Sequence, residues 1–265
     1  MPVSESLCDD FEAAMREAGE IARVTSQRKF ERWTKGEDKS PVSEADIAVN
    51  DFLRARLSQL LPGSGWLSEE TEDDPAAREM RETWIVDPID GTRAFIQGRP
   101  DWTVSAALVE DGRPVLAGLY APVTEEMFVA MRGTGTTCNG KPVGVGDGDD
   151  LTGLKAAGPK RMLERLEKVE PTALPQPKVH SLALRLTRVA TAELGVAFAS
   201  GGSHDWDLAA ADLLVHEAGG VLTDLAGRPL SFNRPHLTHG ALVAAGPARH
   251  KALLALLRDR MPEFA

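Results

Sequence analysis

Nine residues limit what this chain can become. Residues 84–92 read Trp-Ile-Val-Asp-Pro-Ile-Asp-Gly-Thr. Trp84, Ile85 and Val86, with Thr83 before them, form an apolar run of strand character that ends in Asp87. Pro88 has no N–H to donate and a fixed φ, so a central strand is expected to stop there. Asp90 follows three residues after Asp87. Gly91 supplies backbone free to turn tightly, and the Gly91-Thr92 pair can open a helix. Two carboxylates held this close repel unless a cation or a proton lies between them. Such an oxygen-rich corner suits a hard cation like Mg²⁺, which takes one or two carboxylates and leaves room for a substrate phosphate.

The rest of the composition narrows the class. A chain of 265 residues can bury a large core, and no linker-like stretch divides it. A formal net charge of -10 argues against a general binder of nucleic-acid polymers or membrane surfaces. It does not oppose a small phosphorylated substrate, because a metal cluster inverts the field locally. No apolar run reaches transmembrane length, and residues 1–10 lack the layout of a signal peptide. With only Cys8 and Cys138, a disulfide framework is not expected, and a reducing cytoplasm fits.

In chain order, Phe11, Ala14, Met15, Ala18, Ile21 and Ala22 recur at helical spacing, which predicts an amphipathic helix over 9–24. Residues 30–40 are polar and read as a loop or hairpin whose charges face solvent, although such a loop could also close over a site. Ser43 is an N-cap for a helix running to Leu61, and Asp46 in its first turn complements the helix dipole. Residues 66–68 form a short strand that ends, like the 84–87 run, in acids, Glu69 and Glu70. If the two strands are adjacent and parallel, Glu69 and Asp87 meet at one sheet edge. Strands over 102–109, 115–120 and 127–131 follow, with turns at Asp111-Gly112 and Asn139-Gly140.

The second half alternates. Strands are expected over 154–157, at Val179, and over 196–199, 221–223 and 240–245. Helices are expected over 160–168, 182–193, 206–218 and 250–260. That alternation indicates α/β layering. The expected division is an N-terminal α+β subdomain over 1–145 and a C-terminal α/β subdomain over 146–265. A second acidic corner, His204-Asp205-Trp206-Asp207, precedes an apolar helix. Asp205 is a plausible N-cap, and a second Asp at the start of a buried helix needs a partner or a metal. His204 reads as structural, and no Cys/His spacing suggests zinc.

Taken together, the 84–92 stretch, Glu69-Glu70 after a strand, and Trp206-Asp207 followed by an Ala-rich helix and Glu217-Ala218-Gly219-Gly220 resemble the inositol monophosphatase family. The resemblance covers nearly the whole chain. It implies an α/β/α/β/α sandwich, Mg²⁺-dependent hydrolysis of phosphomonoesters, lithium inhibition and homodimers. Carried over by position, Glu69, Asp87 and the carbonyl of Ile89 hold one Mg²⁺, and Asp87, Asp90 and Asp207 hold a second. A third, weaker ion is engaged near Glu69, with Glu70 standing behind the ligands. Thr92 and Asp46 match the pair that orients and deprotonates the attacking water. Gly91 and Thr92 match the backbone donors to phosphate.

The substrate side is less uniform. Inositol-specific members carry a Glu seven residues before the second-site Asp, and here that position is Ser200. Arg93-Ala94-Phe95-Ile96 and Leu119-Tyr120-Ala121-Pro122 lean toward 3'(2'),5'-bisphosphate nucleotidases. Ala94 replaces a Glu common in those enzymes, and the Arg93 stretch also resembles histidinol-phosphate phosphatases. A nucleotidase or broad small-molecule phosphatase therefore ranks above an inositol-1-phosphate-specific enzyme. Some members of the family act instead as binding or regulatory proteins on RNA-processing machinery, which is the alternative from another class.

Overall fold

The computed structural model describes residues 3–36 and 40–257. Residues 37–39 of the expected loop and 258–260 of the expected last helix lie outside them. The chain opens with α1 (Glu5–Ser26), whose Phe11, Ala14, Met15, Ala18 and Ala22 are fully buried. A hairpin follows, β1 (Arg32–Lys35) antiparallel to β2 (Ser40–Ser43). Ser43 then caps α2 (Glu44–Leu60), and Asp46 closes a capping box on it.

Next come β3 (Gly65–Ser68) and β4 (Glu82–Asp90), which pair in parallel with Ser68 opposite Val86. Their acidic ends therefore share one sheet edge. The short α3 (Thr92–Ile96) leads into an antiparallel meander of β5 (Thr103–Glu110), β6 (Arg113–Ala121), β7 (Glu126–Met131), β8 (Gly135–Cys138) and β9 (Lys141–Val143). The sheet order is β3-β4-β5-β6-β7-β8-β9.

The second half supplies β10 (Lys155–Ala157), α4 (Lys160–Val169), β11 (Leu174–Pro175), α5 (Leu182–Ala190), β12 (Val196–Ala199), β13 (Ser203–His204), α6 (Asp205–Glu217), β14 (Val221–Asp224), β15 (Thr238–His239), β16 (Leu242–Ala245) and α7 (Pro247–Leu257). Five of these strands make a mixed sheet of order β11-β10-β12-β16-β14, while β13 and β15 pair apart.

Strand alternation sorts these elements into layers. Trp84 and Val86 face α1 and α2, whereas Ile85 faces the opposite way, toward α5 and α6. The inner face of the second sheet, with Ala197, Ala199 and Ala244, covers the other side of α5 and α6. Its outer face, with Val196, Phe198 and Val243, packs on α4 and α7. The result is the α/β/α/β/α sandwich. No helix among the described residues is long and apolar enough to cross a membrane.

Three local expectations fail for identifiable reasons. β4 does not stop at Pro88. It runs to Asp90, because Asp87 opposes Ser105 and Asp90 opposes Thr103, so one extra residue bulges where Pro88 sits. Val179 is not in a strand, because its neighbours are tied elsewhere: Asp101 accepts from the backbone N–H of Ser181 through its carbonyl and of His180 through its carboxylate. Asp205 is the first residue of α6 rather than its N-cap, and His204 takes the cap position.

The approach of α1 to its sheet is close. Phe11 stacks on Trp84 with ring centroids 5.3 Å apart, and a Cβ on Gly118 would lie 2.7 Å from the Phe11 ring. Overpacking of this kind costs about 1–3 kcal/mol. Gly118→Ala is therefore expected to lower the urea midpoint with an unchanged m-value. An unchanged midpoint would contradict the contact.

Candidate active site

The bulge at Pro88 sets the geometry. It turns both Asp87 and Asp90 inward, where they are 1% and 5% exposed. Asp87 accepts from the N–H of Ile89 at 3.0 Å. Gly91 follows at φ +95°, with the Ser181 backbone nitrogen 3.1 Å from where a Cβ would stand. Only glycine makes this turn without strain or crowding.

Asp90 is received by the start of α5. Ser181 Oγ donates to it at 2.6 Å, the Leu182 N–H at 3.1 Å and the Ala183 N–H at 2.7 Å. Asp207 comes from the first turn of α6 and accepts the His204 N–H at 2.7 Å. Oxygens of Asp87, Asp90 and Asp207 all lie within 4.8 Å of one another. Residues about 120 positions apart in sequence thus converge. Burial pushes each acid above the carboxylate range, and mutual repulsion adds to it. Asp207 is pushed up to about 8 and Asp90 to about 6, with Asp87 raised as well.

Asp46 faces this group from α2. Its Oδ2 accepts from Ser43 Oγ at 2.6 Å and from the Ser43 N–H at 2.8 Å. Its Oδ1 lies 3.2 Å from Thr92 Oγ1, which is also 3.1 Å from the Ile89 carbonyl. One hydroxyl proton has two acceptors here, so Asp46 both caps α2 and faces Thr92. Burial raises its carboxyl to about 6.

Glu69 arrives at the same edge but stands outside the converging trio. Its carboxylate turns to Lys35 Nζ at 3.2 Å. The same ammonium donates to the Glu69 carbonyl at 3.0 Å and to Glu70 Oε1 at 2.6 Å. Lys35, read from sequence as part of a solvated face, instead serves as the counter-ion of the Glu69-Glu70 pair. Burial raises Glu70 to about 7. Ser181 was also missed, although a Ser directly before a helix start is an N-cap signal. Arg93 and Ser200 are both exposed.

The remaining groups of the second acidic corner have structural duties. Asp205 is fully buried and needs no metal, because His239 Nε2 lies 2.7 Å from it and the Asn233 N–H donates to it at 2.6 Å. His204 stacks on Trp206, centroids 4.6 Å apart and 3° from parallel.

The donor set of the trio is carboxylate oxygen alone, which fits a hard divalent cation better than a soft one. The raised acids make the same point energetically, because together they favour any added positive charge. Buried Asp46, Asp87 and Asp90 and half-buried Asp207 all have folded values above their unfolded ones. Between about pH 4, the unfolded carboxylate value, and about pH 8, these four groups bind more protons in the folded protein than in the unfolded chain. Metal-free stability therefore falls as pH rises through that window. EDTA-treated protein is expected to melt lower at pH 8 than at pH 5 by at least ~2–4 °C, the shift for 1 kcal/mol at this size. Mg²⁺ is expected to restore the loss at pH 8. A melting temperature that climbs over this interval, or ignores Mg²⁺, would refute the electrostatic picture.

Comparison with known proteins gives the chain's family and its structural relatives. The profile of the inositol monophosphatase family matches residues 4–262. The chain is 32% identical over 245 residues to the 3'(2'),5'-bisphosphate nucleotidase CysQ of Aggregatibacter actinomycetemcomitans, covering 88% of this chain and 90% of that protein. It is 31% identical over 226 residues to the inositol-1-monophosphatase of Mesorhizobium japonicum, with 82% of each covered. Among solved structures, the extragenic suppressor protein suhB of Bartonella henselae superposes with a TM-score of 0.85 at 27% identity, over 97% of this chain and all of the other.

Proposed function

This chain belongs to the inositol monophosphatase family and is a phosphoric monoester hydrolase, and we propose that it is a Mg²⁺-dependent phosphatase preferring a 3'(2'),5'-bisphosphate nucleotide. The observation that carries the chemistry is the convergence of Asp87, Asp90 and Asp207 within 4.8 Å. In this assignment Asp87, Asp90 and Asp207 hold one ion, and Glu69, Asp87 and the Ile89 carbonyl hold another. Bound there, Mg²⁺ supplies charge neutralisation for the phosphate and a more acidic water.

The chain's own groups do the rest. The Gly91 and Thr92 N–H groups receive phosphate oxygens. With α3 only five residues long, local amides rather than a helix macrodipole carry that contact. Thr92 Oγ1 accepts a proton from the attacking water and passes its own to Asp46 Oδ1, 3.2 Å away. Asp46, at about 6, lies close enough to neutral pH to take a proton and release it. Ser181 and the α5 amides keep Asp90 aimed, so little reorganisation is left for the reaction itself.

For the substrate, three features favour a bisphosphate nucleotide: Ser200 in place of a carboxylate, an exposed Arg93, and the similarity to CysQ. Lithium inhibition, homodimers and a cytoplasmic location accompany this assignment as expectations.

Phosphate release from adenosine 3',5'-bisphosphate, inositol 1-phosphate and histidinol phosphate tests it. The highest kcat/KM is expected on the bisphosphate. A higher value on either other compound overturns the preference, and no Mg²⁺-dependent release from any of them overturns the activity. Thr92→Ala is expected to lower kcat roughly 10²-fold with little change in KM, the mark of a group acting in the transition state. Near-normal turnover would remove Thr92 from the proton path. Asp87→Asn is expected to abolish most Mg²⁺-dependent turnover while the metal-free fold keeps or gains stability, through relieved repulsion. An active variant would sink the metal assignment.

A further inference from the structure

Asp207 is held within its own helix by the His204 N–H. That bond orients the carboxylate on α6, but it does not set where α6 stands against β4, the strand of Asp87 and Asp90. The body of α6 packs through apolar side chains in the interior of the sandwich. Such packing has no direction, so small slides and rotations of the helix start cost little. Directional bonds are needed to fix the first turn.

Asp205 supplies them. It lies two residues before Asp207, about 200° round the helix, so the two acids leave the first turn on opposite sides. Asp205 is fully buried. Both its oxygens are taken by the segment 233–239, with the Asn233 N–H at 2.6 Å and His239 Nε2 at 2.7 Å. Its own N–H donates to the Leu237 carbonyl at 2.9 Å, and β13 pairs with β15 beside it. The start of α6 is thus clamped to that segment.

The segment is anchored in turn to β4 through Asn233. Its Nδ2 donates to Thr83 Oγ1 at 3.2 Å and to the Arg78 carbonyl at 2.8 Å. Its Oδ1 accepts from Arg78 Nη1 at 3.3 Å. Thr83 is fully buried in β4, four residues before Asp87, which is roughly 13 Å along a strand. Asn233 itself stands at φ +55°, a left-handed conformation that asparagine tolerates better than most residues. A closed frame results. β4 and the first turn of α6 are two of its sides. Asn233 and Asp205 join them at one end, and the carboxylate trio closes the other.

We propose that Asn233, acting through Asp205, is a positioning residue that sets where Asp207 stands against Asp87 and Asp90, and with it the affinity for a divalent cation among them. The inference rests on the assignment of those three acids as metal ligands above. Removing a group that holds a metal ligand in place typically costs roughly 10–100-fold in affinity.

Asn233→Gly tests it, because glycine keeps the left-handed backbone at ease and removes the amide. The readouts are Mn²⁺ affinity by calorimetry on the folded protein and the urea midpoint. Mn²⁺ binding is expected to weaken roughly tenfold or more. Gly118→Ala, which disturbs the α1 face instead, is the control, expected to lower the midpoint and leave the affinity unchanged. Unchanged affinity in Asn233→Gly, or a loss matched by Gly118→Ala, would reduce the contact to a stability element and overturn the proposal. Should Asn233→Gly fail to fold, Thr83→Val carries the same comparison with the loss of one anchor. Weaker Mn²⁺ binding then supports the proposal and unchanged binding refutes it. Crystal structures of metal-free wild type and variant keep the test independent of the ion. An Asp207 carboxylate displaced from Asp87 and Asp90 supports the positioning role, and an unmoved one refutes it. If wild type binds no Mn²⁺, the metal assignment fails, while those structures still decide what places Asp207.

Discussion

Repulsion among buried carboxylates is the constraint around which this molecule is built. Asp87 and Asp90 are almost completely buried, and Asp207 is brought against them from the other half of the chain. No arrangement of apolar packing makes that favourable in isolation. The fold holds it together by dividing the negative charge among local donors. The start of α5 takes Asp90, the Ile89 amide takes Asp87, and the His204 amide takes Asp207. Lys35 takes Glu69 and Glu70. What these donors leave uncompensated favours a cation, and the stability spent on assembling the acids returns as metal affinity.

The layers explain how distant residues can be placed to this tolerance. β3 and β4 end at one edge because they are parallel, and their hydrophobic alternation locks that register against two helical layers. α6 is buried on both sides, which fixes the axis from which Asp207 projects. α5 lies in the same layer and supplies the amides that hold Asp90. The acid corner is therefore positioned by the interior of the sandwich rather than by loops alone.

Much of this was legible in the residues themselves. The Asp-Pro-Ile-Asp-Gly-Thr run announces a carboxylate corner, and period-two and period-3.6 patterns place the strands and helices that carry it. The failures share a cause. Pro88 was read as a strand end because local chemistry says so, yet a bulge lets β4 pass through it. Lys35 was read as solvated because no local pattern links it to acids more than thirty residues away. Ser181 has its role only through a tertiary contact, with Asp90. Asp46 was ambiguous in sequence for a real reason, since one oxygen caps its helix and the other faces Thr92.

The central claim is that a divalent cation belongs among Asp87, Asp90 and Asp207. Anomalous diffraction from crystals grown with Mn²⁺ locates such an ion directly. The account calls for a strong peak among those three carboxylates, with a second beside Glu69 and the Ile89 carbonyl. A map with no peak among the three acids, in crystals that bind Mn²⁺ elsewhere, would contradict it.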